Sequence, residues 1–298
     1  MTKIRSSGSS RIRRGGGGGG SPFGVGGGGG GFPIPMKAGG GVLGLILLVA
    51  VVIGSQLLKG NSSSDNVGSN DAALTDTGGS VDCVTEAEQI VCGAVDDVSL
   101  YWEEQFPVTF QGAFSGTDTV LFSGATSTGC GNASAETGPF YCPADQLVYL
   151  DVDFLQQLQQ QFGATGDLAA QYIVAHEYGH HVQNITGIAD RVNAAAQQDP
   201  GVAQDFGIAL ELQADCLAGA WASSIAERGL FSNEGEIEEA LNAAEAVGDD
   251  RIQAQAGQRV DPDSFTHGTA EQRRHWFEVG FSTGDPGQCL TFNNSLAP

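Results

Sequence analysis

The sequence predicts an α+β domain, mostly helical with a small β-sheet, over residues 81–298. Three observations carry that expectation. Apolar residues recur at helical spacing in a series of stretches from residue 94 onward, as at Val95, Val98, Trp102 and Phe106. Short runs at 108–111, 120–123 and 147–151 are rich in β-branched and aromatic residues and read as strands. Glycine runs at 15–20 and 26–31 bury no core, which keeps the first 80 residues out of the domain.

Taken in order, residues 1–41 hold six basic residues, Lys3, Arg5, Arg11, Arg13, Arg14 and Lys37, and no acidic one. They read as a disordered, basic, Gly-rich cytoplasmic arm. Residues 42–58 form an uncharged apolar run, short of the roughly 20 residues of a typical membrane-spanning helix. A cleaved signal peptide is the rival reading. The segment before the run is long for a signal, and Gly54-Ser55-Gln56 is a mediocre cleavage site, so a retained single-pass anchor is preferred. Positive charge before the span places the N-terminus in the cytoplasm and the domain outside it, at the cell membrane. Residues 59–80 are a Ser/Asn/Asp/Gly-rich linker.

Charge changes sharply across the run. Seven of the 13 Lys and Arg lie in residues 1–59, leaving six against all 35 Asp and Glu. So acidic a domain argues against nucleic-acid binding. All six cysteines follow the run, an even count that suits disulfides in an oxidising compartment. Sequence neighbours suggest Cys83–Cys92 and Cys130–Cys142, leaving Cys216 with Cys289. The oligomeric state is not legible.

Within the domain, residues 94–106 read as a helix with an aromatic stripe. The small, polar residues 126–138 read as a loop, and 152–162 as a helix with Phe154, Leu155, Leu158 and Phe162 inward. Further helices are expected at 188–198, 205–228, 235–246 and 270–280, the last with Thr269 as N-cap.

The chemistry concentrates in His176-Glu177-Tyr178-Gly179-His180, which fits H-E-x-x-H. On a helix, residues four apart share a face, so both imidazoles can offer a nitrogen to one Zn2+ ion. Glu177 then stands beside the metal without binding it, placed to take a proton from water. A second pattern, Glu211-Leu212-Gln213-Ala214-Asp215, lies on another apolar helix. Glu211 supplies the third ligand, and Asp215, four residues on, can accept the free N–H of a ligand histidine. His267, in a polar loop with no apolar periodicity, is the candidate oxyanion donor. His181 points about 100° away from His180 and reads as a supporting or surface residue, and His275 as structural. Tyr141, in an edge strand, is placed to help hold an extended substrate.

The stretches at 121–124 (LFSG), 138–151 (GPFYCPADQLVYLD), 176–183 (HEYGHHVQ), 211–222 (ELQADCLAGAWA), 266–273 (THGTAEQR) and 280–289 (GFSTGDPGQC) resemble the bacterial putative neutral zinc metallopeptidase family. The resemblance implies a zincin-like fold, His176, His180 and Glu211 as zinc ligands, Glu177 as the catalytic glutamate, and a peptide or protein substrate. Two other readings stay open: a zinc hydrolase acting on a non-peptide amide or ester, and a catalytically silent, zinc-stabilised binding module.

Overall fold

Thr85 and Glu88 set the start of the first long helix. The Thr85 side chain accepts from the Glu88 amide and Glu88 reaches back to the Thr85 amide, a capping box that opens α1 (Glu86–Thr109). The computed structural model describes residues 3–15, 80–134, 137–154, 167–231, 233 and 235–292. The expected anchor at 42–58, the glycine runs beyond Gly15, nearly all of the linker and most of the helix expected at 152–162 lie outside them. No helix among the described residues is long and apolar enough to cross a membrane.

A four-stranded sheet packs beside the helices in the order β2 (Ile12–Arg14), β4 (Thr119–Phe122), β8 (Leu147–Asp151), β7 (Phe140–Cys142). The first three strands run parallel and β7 is antiparallel to β8. Two small pairs accompany it: β1 (Gly8–Ser9) with β3 (Val81–Asp82), and the hairpin β5 (Ala125–Thr128) with β6 (Gly131–Ser134). The helices that follow are α2 (Asp167–Ile185), α3 (Ile188–Gln198), α4 (Ala203–Glu227), α5 (Glu236–Ala246), α6 (Asp249–Gln255) and α7 (Ala270–Thr283). The architecture is therefore mostly helical α+β. The three disulfides are Cys83–Cys92, Cys130–Cys142 and Cys216–Cys289, as expected.

Three expectations are corrected. The strand expected at 108–111 is the end of α1, with Phe110 as its cap. Phe106 packs on Phe110 and Phe114, and Trp102 on Phe110, so aromatic burial overrides β propensity there. The loop expected at 126–138 contains the β5–β6 hairpin, whose end is stapled by Cys130–Cys142. The third correction is the largest. Residues 3–15 are not a disordered arm: they carry β1 and β2, and Ile4 and Ile12 enter the main hydrophobic core. Glycine and charge content suggested disorder, but the basic residues before Gly15 meet partners far along the chain.

One of these is Arg14, which bonds Glu88. That contact leads the causes lowering the Glu88 carboxyl to about 2, with burial working against it and the Val84 and Thr85 amides helping. An unfolded glutamate titrates near 4.3. The ionised Glu88 therefore contributes its full stabilisation above about pH 4.3 and loses it as pH falls toward 2. Thermal melts should show Glu88→Gln less stable than wild type at pH 7, with the gap roughly halved by about pH 3 and closing as the pH nears 2. A gap independent of pH would remove Glu88 from this role.

The helices that carry the site meet through glycine. A Cβ on Gly280 of α7 would lie 1.9 Å from the Cys216 carbonyl oxygen, and one on Gly219 of α4 would lie 2.1 Å from that of Phe277. Backbone rather than side-chain contact sets this crossing, leaving no room to yield. Gly280→Ala is expected to cost about 1–3 kcal/mol by overpacking, read as a lower denaturation midpoint. An unchanged midpoint would mean that the helices part freely.

Candidate metal centre

His176 and His180 stand one turn apart on α2, their rings 4.8 Å between centroids and nearly perpendicular. Glu211 comes from α4. The fourth position of the motif, Gly179, explains how the two helices approach: a Cβ there would be 3.0 Å from the Cα of Ala214. Glycine at 179 lets α4 lie close enough for Glu211 to reach both imidazoles.

The Nε2 of His176 is 3.3 Å from one Glu211 carboxylate oxygen and the Nε2 of His180 is 3.5 Å from the other. One ligand atom from each of the three residues falls within 4.8 Å of the others. Tetrahedral zinc with bonds of about 2.0–2.2 Å separates its ligand atoms by roughly 3.3–3.6 Å, so the two imidazole–carboxylate distances and the donor set suit it.

The opposite ring nitrogens are already committed. His176 Nδ1 donates to Asp215 Oδ1 at 2.9 Å, and His180 Nδ1 donates to Gln183 Oε1 at 2.9 Å. With each Nδ1 keeping its proton to donate to an oxygen acceptor, each Nε2 is the ligand nitrogen. Gln183 is itself anchored to the Leu210 carbonyl and to Gln213, and Gln213 donates to the Cys289 carbonyl.

Asp215 is fully buried. It accepts from Tyr172 Oη at 2.5 Å, from Arg273 Nε at 2.7 Å and from an Arg273 terminal nitrogen at 2.9 Å, besides His176. Burial alone would raise its carboxyl, but Arg273, followed by His176, holds it at about 2. In the metal-free centre, burial opposes a charged His176. Asp215 and Glu211 outweigh that and hold the imidazole at about 9. His180 is raised in the same way, chiefly by Glu211 once burial is overcome. A metal entering here displaces these protons.

Glu177 is buried on the same helix and sits near His180, whose charged form it favours. His267 lies in the loop before α7. Its Nδ1 is 3.1 Å from Asp249 Oδ1 and 2.8 Å from Thr266 Oγ1, and Asp249 also accepts from the backbone amides of Thr266, His267 and Gly268. The loop rests on α4 one turn from the ligand: a Cβ on Gly268 would meet Ile208 at 3.1 Å and Leu212 at 3.4 Å. His267 is near enough for its charge to lower the Glu211 carboxyl, against the opposing pull of burial and after the nearer His180 and His176.

The remaining histidines lie elsewhere. His181 is fully buried, its Nε2 on the Ser115 carbonyl and its Nδ1 3.1 Å from Tyr141 Oη. Asn184 donates to the same hydroxyl at 3.0 Å, so the pair ties α2 to β7. His275 is exposed on α7, edge-on to Trp276.

Sequence reasoning missed Arg273, Tyr172, Gln183 and Asp249. Arg273 left a signal, because a cation in the first turn of a helix opposes the helix dipole and asks for a buried partner. Asp249 left none, since it looks like any acidic residue at a helix start.

The model of a family described as putative neutral zinc metallopeptidase matches residues 2–292. The chain is 40% identical over 257 residues to YpfJ of Escherichia coli strain K12, an uncharacterized protein, covering 85% of this chain and 88% of that one. It is 50% identical over 183 residues to the uncharacterized protein Rv2575 of Mycobacterium tuberculosis strain H37Rv, covering 58% and 61%. No solved structure matches it.

Proposed function

The chain belongs to the family of putative neutral zinc metallopeptidases, and from that premise we propose that it hydrolyses peptide bonds with Zn2+ held by His176, His180 and Glu211. One observation carries the reading: two imidazoles and a carboxylate converge while both Nδ1 atoms are already bound from behind. Zinc there supplies a Lewis acid that brings the pKa of its water toward about 7.

The chain's own residues do the rest. Glu177 accepts a proton from the attacking water and returns it to the leaving amine. In its protonated form His267 gives one N–H to Asp249 and keeps the Nε2 N–H to donate to the oxyanion as it forms. Asp215, held by Arg273 and Tyr172, fixes the tautomer and tilt of His176. A peptide is favoured over a small amide because β7 is an outer strand of the sheet and is joined to α2 through Tyr141, His181 and Asn184. An outer strand offers its backbone to an extended chain.

Elemental analysis of the purified full chain should find about one zinc per molecule. His180→Ala should lose it. His181→Ala, though less stable, should keep it. Digestion of a peptide library compared with small amide and ester substrates reads the preference. Absence of stoichiometric metal would defeat the proposal, and turnover of small amides or esters alone would move it to another class of hydrolase.

A further inference from the structure

We infer that residues 3–15 are a structural part of the metal-binding domain, so that they and the zinc site lie on the same side of any membrane. The segment is built into the fold from end to end. The Lys3 amide donates to the Leu230 carbonyl and the Ser6 amide to the Gln89 carbonyl. The Cys83 amide donates back to the Ser7 carbonyl, and Gly8 and Ser9 then pair with Asp82 and Val81. The parallel ladder with β4 follows, Ile12 opposite Thr119, Arg13 opposite Val120 and Arg14 opposite Leu121. The Gly15 amide closes the segment on the Leu121 carbonyl.

The domain is shaped to receive it. A Cβ on Gly93 of α1 would lie 2.7–2.9 Å from backbone atoms of Ile4 and Arg5, so that position accepts the segment only as glycine. Gln171, on the helix that carries both zinc-binding histidines, donates to the Ile4 carbonyl at 2.8 Å. Arg5 bridges Glu86 and Asp167, the first residue of that same helix. The segment therefore braces the N-terminal end of α2.

Its charges are also used. Arg11 pairs with Glu103, Arg13 with Asp118 and Arg14 with Glu88. Individually such pairs contribute little, but their partners all belong to the acidic domain. Reading the positive charges as a cytoplasmic topology signal treated them as unpartnered, and in the fold they are not. The family match also begins at residue 2.

A hydrocarbon layer about 30 Å thick between this segment and the domain would leave β4 without β2 and Ile4 and Ile12 without a core. A single crossing between Gly15 and Ser80 is incompatible with the contacts at both ends. The topology that follows is an even number of crossings, zero included, in place of a cytoplasmic N-terminus and an exterior domain.

Two variants of the full chain that each add one cysteine to the six already held in disulfides, Ser10→Cys and Val84→Cys, test this in cells with a sealed inner membrane and the outer barrier removed. Both positions are exposed, Val84 by 75%. A membrane-impermeant maleimide should label both before lysis or both only after it. Labelling of Val84→Cys in sealed cells while Ser10→Cys reacts only after lysis, or the reverse, would overturn the inference.

Discussion

Glu177→Gln is expected to keep its zinc and its fold while losing hydrolysis by about 10²–10⁴-fold or more. The substitution preserves shape and removes only the capacity to take a proton. Glu177 is not among the residues whose ligand atoms converge, so the metal should remain. Its buried setting beside His180 tolerates a neutral side chain of equal size. Added zinc should restore nothing. Activity measured on peptides, together with metal content and a melting curve, reads all three quantities. Loss of metal from this variant would place Glu177 among the ligands, and retained activity would assign the base elsewhere.

Asp215→Ala should do more than loosen the metal. On sequence grounds its effect is a zinc affinity about 10–100-fold weaker, because His176 loses its orienting partner. The fold adds a second consequence. Arg273 is buried and donates twice to Asp215, so the substitution leaves a guanidinium without its counter-charge. Breaking a buried pair from one side costs about 3–5 kcal/mol. Chemical denaturation should therefore show a large fall in stability even without metal. Asp215→Leu combined with Arg273→Met removes both charges and should recover much of that stability, while zinc binding stays weak because His176 Nδ1 remains unpartnered. Recovery of zinc affinity in the double variant would show that Asp215 acts on the fold alone.

The two effects differ in how visible they are in the chain. His176, Glu177 and His180 are separated by a single helical turn, so their relation follows from helix geometry and needs no tertiary information. Glu211 and Asp215 are again one turn apart, and their acidic character on an apolar helix signalled partners. Arg273 is 58 residues beyond Asp215, and its approach depends on the Gly219–Gly280 crossing of α4 and α7. No local pattern carries that distance.

What the sequence by itself determined is the set of local devices: the Thr269 N-cap, the long amphipathic helices, the metal-ligand spacing and the three cysteine pairings. Each is written in residues close along the chain or, for the last disulfide, left by elimination. Only the tertiary structure decided what became of the N-terminal residues, the hairpin within the expected loop, and the Arg273 and Asp249 supports behind the site. The physical reason is common to all of them. Glycine, arginine and aspartate have weak intrinsic preferences, and their structure is set by partners met across the fold: Arg14 with Glu88, Gly93 with the backbone of Arg5, Asp249 with the loop of His267. The basic residues before Gly15 form a strand because the acidic domain offers them an edge.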